Sequence, residues 1–263
     1  RFCPLKYYPF DPDNIDKYVV GDDYLPIWEV PDLHYYYNTL GFGMKESLNV
    51  YLRKKEKNPT TIWQQIEEAI RIVTLNKEPK IVDVVKKFTS KHNFFEMMRF
   101  DFVVDEELRV YLMEANMSPN LSSAHFPPNK LLFEQVIYNM LSVVGIAVRT
   151  SKNTLIRPEE RGMESSDKNI VVYPEECSSN LCRSSCLPDN CHFCKNCLTD
   201  ENKLDFLRAH NEHLNRGDCK RIFPPPINNV LELPLDFEKY SLKNRMMYKW
   251  FLGKCALDEL WCK

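Results

Sequence analysis

Two runs decide how this chain reads: Phe95-Glu96-Met97-Met98-Arg99-Phe100-Asp101-Phe102 and Leu112-Met113-Glu114-Ala115-Asn116-Met117-Ser118-Pro119. They sit in two strand-like stretches, 94–104 and 108–116, around the acidic turn Asp105-Glu106-Glu107, which is the pattern of a β-hairpin. Side chains alternate along a strand, so Glu114 and Asn116 share a face. A turn closing over Glu106 to Arg109 sets Asp101 across from Glu114. Two carboxylates and an amide oxygen then converge on one surface of the ribbon. Carboxylates held this close repel, and burying the pair is costly without a cation between them. Hard oxygen donors of this kind suit Mg2+, which takes a few carboxylates and completes its shell from phosphate oxygens, with Mn2+ as an alternative. The plain competing reading is a solvated hairpin whose acidic groups face water.

Outward from the hairpin the period changes to helical. A helix is expected from Asp32 to about Gly41 and a second from about Lys45 to Lys55. After Asn58-Pro59 the residues Ile62, Ile66, Ala69, Ile70 and Val73 recur at three- and four-residue steps, a core-facing stripe. Lys80 to Lys87 reads as a further short helix. Downstream of Pro127-Pro128 a long apolar helix runs to about Val148, with a face broad enough to pack on the sheet. These elements define an α+β domain over residues 1–148. Residues 149–176 are polar and read as a linker. Residues 177–263 form a cysteine-rich, mainly helical tail, with helices near Asp200 to Arg216 and from Ser241. Gly217 and Gly253 are its expected C-cap positions, and Pro224-Pro225-Pro226 is an extended spacer.

Six of the chain's 10 cysteines, Cys177, Cys182, Cys186, Cys191, Cys194 and Cys197, fall within one short segment. The spacing admits three readings. A disulfide framework belongs to an oxidising compartment. A Zn2+ site, with Cys191, Cys194 and Cys197 as close ligands, belongs to the cytosol. Free thiols are the third. His192 lacks a second histidine at ligand spacing and reads as a surface residue.

Composition sets outer bounds. With 44% hydrophobic and 27% charged residues, 263 residues suffice for a buried core. A formal net charge of -2 says nothing by itself about nucleic acid or acidic partners; no nucleic-acid partner is expected. There are only 7 glycines and no GxGxxG or GxxxxGK string, so any nucleotide site is neither a Rossmann nor a P-loop cradle. The longest apolar stretch, Val143 to Val148, is too short to span a bilayer. The opening Arg1-Phe2-Cys3-Pro4 reads as a processed or incomplete product.

The hairpin strings resemble the tubulin tyrosine ligase-like family. Its ATP-grasp domain carries an F-G-F-D strand followed by an E-V-N strand, seen here as Arg99-Phe100-Asp101-Phe102 and Glu114-Ala115-Asn116 ahead of Met117-Ser118-Pro119-Asn120-Leu121. The resemblance covers about residues 1–148 and implies the carboxy-terminal part of an ATP-grasp domain. It implies Asp101, Glu114 and Asn116 as Mg2+ ligands that bridge the phosphates of ATP, and Arg1 near the substrate amino acid or carboxylate. It also implies an ATP-dependent ligase that adds an amino acid, glutamate first among the candidates, to tubulin or a similar acidic protein through an acyl-phosphate. The family's ATP-binding lysines lie upstream, so this fragment alone is expected not to turn over. The resemblance points to the cytoplasm and cytoskeleton, the cysteines to a secretory lumen. Asp16 to Asp23 stands where the family has H-x-T-N, and Met98-Arg99 replaces small residues. These departures motivate the alternative of a non-catalytic microtubule- or protein-binding relative.

Overall fold

The computed structural model describes residues 1–18, 24–89, 94–147 and 167–262. Of the expected linker, 149–166 lies outside the described residues, as do 19–23 of the departing stretch. The described chain is mixed helix and strand with a two-stranded antiparallel sheet. It divides into two compact units: residues 1–67 with 100–114, and residues 68–99 with 115–263.

In the first unit, α1 (Pro31–His34) continues as a wider turn over Tyr35–Thr39 and is followed by α2 (Met44–Lys54). Leu33, Leu52 and Ile62 are buried. Asn49, also buried, accepts from Trp63 Nε1 at 2.8 Å and donates to Glu46 at 3.0 Å, so its amide is satisfied on both sides. The Lys45 ammonium lies 4.4 Å from the Trp63 ring centroid, a cation–π contact.

Helix α3 (Thr60–Val85) is continuous, where the sequence suggested two helices. Pro79 lies inside it and removes one backbone donor without ending the helix. Its carboxy-terminal half is anchored in the second unit. Arg71 holds Asp236 and Glu68, each at 2.6 Å, and Glu78 accepts from Ser241 Oγ at 2.6 Å and from Asn244. Such tertiary bonds act against the ~3 kcal/mol that a proline costs inside a helix.

The strands are β1 (Met98–Val104) and β2 (Val110–Met117). Helix α4 (Lys130–Val143) packs against α8 (Asp200–Leu214). Its apolar face is not the covered surface the sequence suggested: Leu131 and Tyr138 are each 65% exposed.

The tail opens with three short helices, α5 (Asp167–Ile170), α6 (Pro174–Ser178) and α7 (Asn180–Ser184), and closes with α8 and α9 (Leu242–Leu257). Thr199 caps α8 by accepting from the Asn202 amide at 3.1 Å, with Asp200 and Glu201 in the first turn where the helix dipole favours negative charge. Ser241 caps α9 in the same way. Trp250 is fully buried, its ring nearly parallel to Phe206 at 5.3 Å, and its Nε1 donates to the Ile170 carbonyl at 3.0 Å. Burying a side chain of this size stabilises the fold by about 3 kcal/mol. Ile170, Val172, Phe193, Ala209 and Phe251 complete this core. Val172 and Ile170, within the stretch expected as linker, are therefore packed.

The two glycine expectations come out differently. Gly253 lies inside α9 rather than at its cap, because Val172 and Tyr173 press so close that a Cβ would meet them at 2.8–3.0 Å. Gly217 does have a left-handed backbone (φ +52°), in the turn after α8, where a Cβ would run into Asn139 Oδ1.

Candidate active site

The hairpin turn is built around Asp105. Its amide donates to the Arg109 carbonyl at 3.0 Å, and its own carbonyl accepts from Leu108 N–H at 3.0 Å. Asp105 Oδ1 accepts from the amides of Glu107 and Arg109, and Oδ2 from Arg109 Nε at 2.7 Å. Desolvation would raise the Asp105 pKa, but the hydrogen bonds from Arg109 win and hold it below the ordinary carboxylate value. Leu108 takes a left-handed φ of +64°, a conformation usually left to glycine in such turns. The loop is thus Glu106 to Leu108, with Asp105 facing Arg109. This corrects the expected closure over Glu106 to Arg109 by one residue.

Register matters because a one-residue slip carries a side chain to the other face. Counted strictly from the turn, Asp101 falls opposite Met113. Strand β2 has 8 residues against 7 in β1, which leaves room for one extra residue on β2 along the ladder. Asp101 is half-buried at the middle of β1; Glu114 is exposed on β2, and Asn116 is half-buried further along the same strand. Just beyond, Ser118 has a φ of +49°, so the Met117-Ser118-Pro119 segment leaves the strand through a left-handed residue. Arg1 lies with its guanidinium 4.8 Å from the Tyr24 ring centroid.

What holds the hairpin in the first unit escaped the sequence reading. Gln65, on α3, donates from Nε2 to the Leu108 carbonyl at 2.9 Å and accepts at Oε1 from the Val110 amide at 3.1 Å. The same Nε2 also donates to the Thr61 carbonyl at 3.0 Å. One primary amide thereby serves both edges of the turn. Lys57 Nζ adds a bond to the Glu106 carbonyl. Glutamine at the edge of an apolar stripe is a weak signal, since most such residues face water.

The cysteines resolve differently from a metal centre. Cys177–Cys194, Cys182–Cys191 and Cys186–Cys197 are disulfides, with Cα separations of 5.3, 5.0 and 5.6 Å, and Cys255–Cys262 is a fourth. The Zn2+ alternative is overturned, because all six of its candidate sulfurs are already bonded in pairs. His192 is exposed. Among the described residues no group of three or more His, Cys, Asp or Glu is placed to hold a metal. The hairpin set differs in kind, with two carboxylates and an amide. Lys86, just past the end of α3, pairs with Asp83, and Trp250 and Phe251 pack inward. No helix among the described residues is long and apolar enough to cross a membrane.

The hairpin and the helices of the first unit fall within a match to the tubulin-tyrosine ligase family that spans residues 1–154. The chain belongs to that family. It is 36% identical, across 100% of its own length and 50% of the relative's, to a Caenorhabditis elegans protein named probable tubulin polyglutamylase ttll-15. Human tubulin monoglutamylase TTLL4 is 22% identical over 68% of this chain and 16% of its own length. Human tubulin polyglutamylase TTLL5 is 27% identical over 52% of this chain and 11% of its own. The chain therefore spans half or less of the relatives it matches. No solved structure matches.

Proposed function

We propose that this chain supplies the Mg2+-binding hairpin of an ATP-dependent ligase that adds an amino acid, most specifically glutamate, to carboxylates of tubulin or a similar acidic protein. The carrying observation is that Asp101 and Glu114 stand on the two paired strands of one hairpin inside the family match. The donor set fits the ion. Asp101, Glu114 and Asn116 offer only hard oxygens, and the exposure of Glu114 leaves room for phosphate oxygens to complete the shell. When bound, Mg2+ supplies charge neutralisation between two anions, the triphosphate and the acceptor carboxylate. The reading requires the extra residue of β2 to be taken up between Arg109 and Glu114, so that Glu114 shares a face with Asp101.

The ligase chemistry proceeds in two steps. The acceptor carboxylate attacks the terminal phosphorus of ATP, breaking the bond to ADP and giving an acyl-phosphate. The incoming amine then displaces inorganic phosphate and forms the amide. The protein's share in such phosphoryl transfer is mostly alignment and electrostatics. In these terms Asp101, Glu114 and Asn116 orient the phosphates, and Gln65 holds the hairpin that carries them. The departures at residues 16–23 and at Met98-Arg99 bear on which amino acid is taken.

The test uses the whole protein that contains this chain. Mg2+–ATP binding, followed by titration calorimetry, is expected to be lost in Asp101→Ala, Glu114→Ala and retained in Glu106→Ala, a change at the exposed turn of the same hairpin. Unchanged nucleotide affinity in the double variant would refute the assignment.

A further inference from the structure

The family match ends at residue 154, and nothing in it gives the tail a role. The tail's construction does. Between residues 174 and 198 the interior is sulfur: Cys182, Cys191 and Cys194 form a buried cluster with Cys177 packed against it. The helices around that cluster, α6 and α7, have 5 residues each. Helices that short do not persist by themselves, because nucleation is unfavourable and few bonds follow it. Three crosslinks, of sequence separation 17, 9 and 11, tie them down. They also fix Phe193, which stacks near Phe206 and enters the same core as Trp250. A fourth crosslink, at the far end of α9, holds the turn that carries Trp261, whose ring lies 3.8 Å from His213 and 5.7 Å from Trp250. Eight of the 10 cysteines are thus used in pairs at the places where the tail has least other structure, and Cys3 and Cys219 are left as thiols.

A reducing cytosol keeps such thiols unbonded, whereas oxidising compartments make and retain these bridges. We infer that the tail of this chain folds by oxidation, and that the protein works in an oxidising compartment, inside the secretory pathway or outside the cell. Each bridge removes two protons and two electrons from a thiol pair. The electrons pass by thiol–disulfide exchange to a disulfide-bearing protein oxidant of that compartment, which is left as a dithiol. On the ligase reading above, this selects the second of its two acceptor classes, an acidic protein other than cytosolic tubulin whose carboxylates are exposed in the same compartment.

The experiment quenches living cells that make the whole protein in acid, alkylates with N-ethylmaleimide under denaturing conditions, and maps the peptides before and after reduction. Expected are two alkylated cysteines in this region, Cys3 and Cys219, with eight others reacting only after reduction and the linked peptides pairing as described. In parallel, a tail antibody is applied after selective opening of the plasma membrane. No staining is expected until internal membranes are also opened, or else the protein is found in the medium. Alkylation of the eight paired cysteines before reduction, or a tail open to the cytosol, overturns the inference. Amide transfer by the purified oxidised protein is scored separately, so a failed ligase reading leaves the thiol result standing, and the converse holds.

Discussion

Removing the Gln65 amide tests whether α3 holds the hairpin in place. The native amide makes two bonds to the hairpin, to the Leu108 carbonyl and from the Val110 amide, at 2.9 and 3.1 Å. Both backbone groups are only half-buried, so water can replace part of what is lost. At ~0.5–1.5 kcal/mol net for each bond, Gln65→Leu should destabilise the local structure by about 1–3 kcal/mol, or roughly 5- to 150-fold in the opening equilibrium. Hydrogen exchange resolved to single amides should show Val110 N–H exchanging faster by that factor, while amides near the middle of α3 keep their rates. Gln65→Glu separates the two halves of the contact. Its carboxylate can still accept from Val110 N–H, yet it loses the donor bond to Leu108 and sets a negative charge near that carbonyl. Val110 should therefore stay largely protected in this variant. Unchanged Val110 protection in Gln65→Leu would refute the clamp, as would equal loss in both variants.

The other predictions concern the tail. Gly253→Ala places a Cβ at 2.8 Å from Val172 Cβ and 3.0 Å from the Tyr173 ring, and should cost about 1–3 kcal/mol of stability in denaturant unfolding; a neutral effect would mean that the Val172 segment yields easily. Burial, reinforced by Arg216, lowers the His213 pKa to about 4, while its Nε2 bonds the Trp261 carbonyl at 2.6 Å. The unfolded chain then binds the extra proton between about pH 6.5 and 4, so stability is fully present above that window and is lost as pH falls through it. His213→Gln keeps a donor without the titration, and its melting temperature should fall less steeply across the window than that of the parent. Equal slopes would show that His213 contributes no pH dependence.

Much of this was legible locally. Alternating strands about Asp105 and the helical stripe from Ile62 are short-range patterns, and the hairpin strings alone carried the family resemblance that the match over residues 1–154 later established. The helices from about Asp200 and from Ser241 are of the same kind. The pairing of the sulfurs was not legible, because six cysteines admit 15 connectivities and their spacing also suits zinc. Only Cα separations of 5.0–5.6 Å between residues brought together by folding decide it. The turn shifted by one residue because Leu108 adopts a left-handed backbone that its side chain does not advertise. Gln65 meets Leu108 and Val110 across more than 40 positions, and Val172 is core only because α9 brings Gly253 against it. The sequence by itself thus determined which segments form, since that depends on neighbours along the chain. Which atoms then meet was decided by tertiary structure, since packing and hydrogen bonding act between residues the chain keeps far apart.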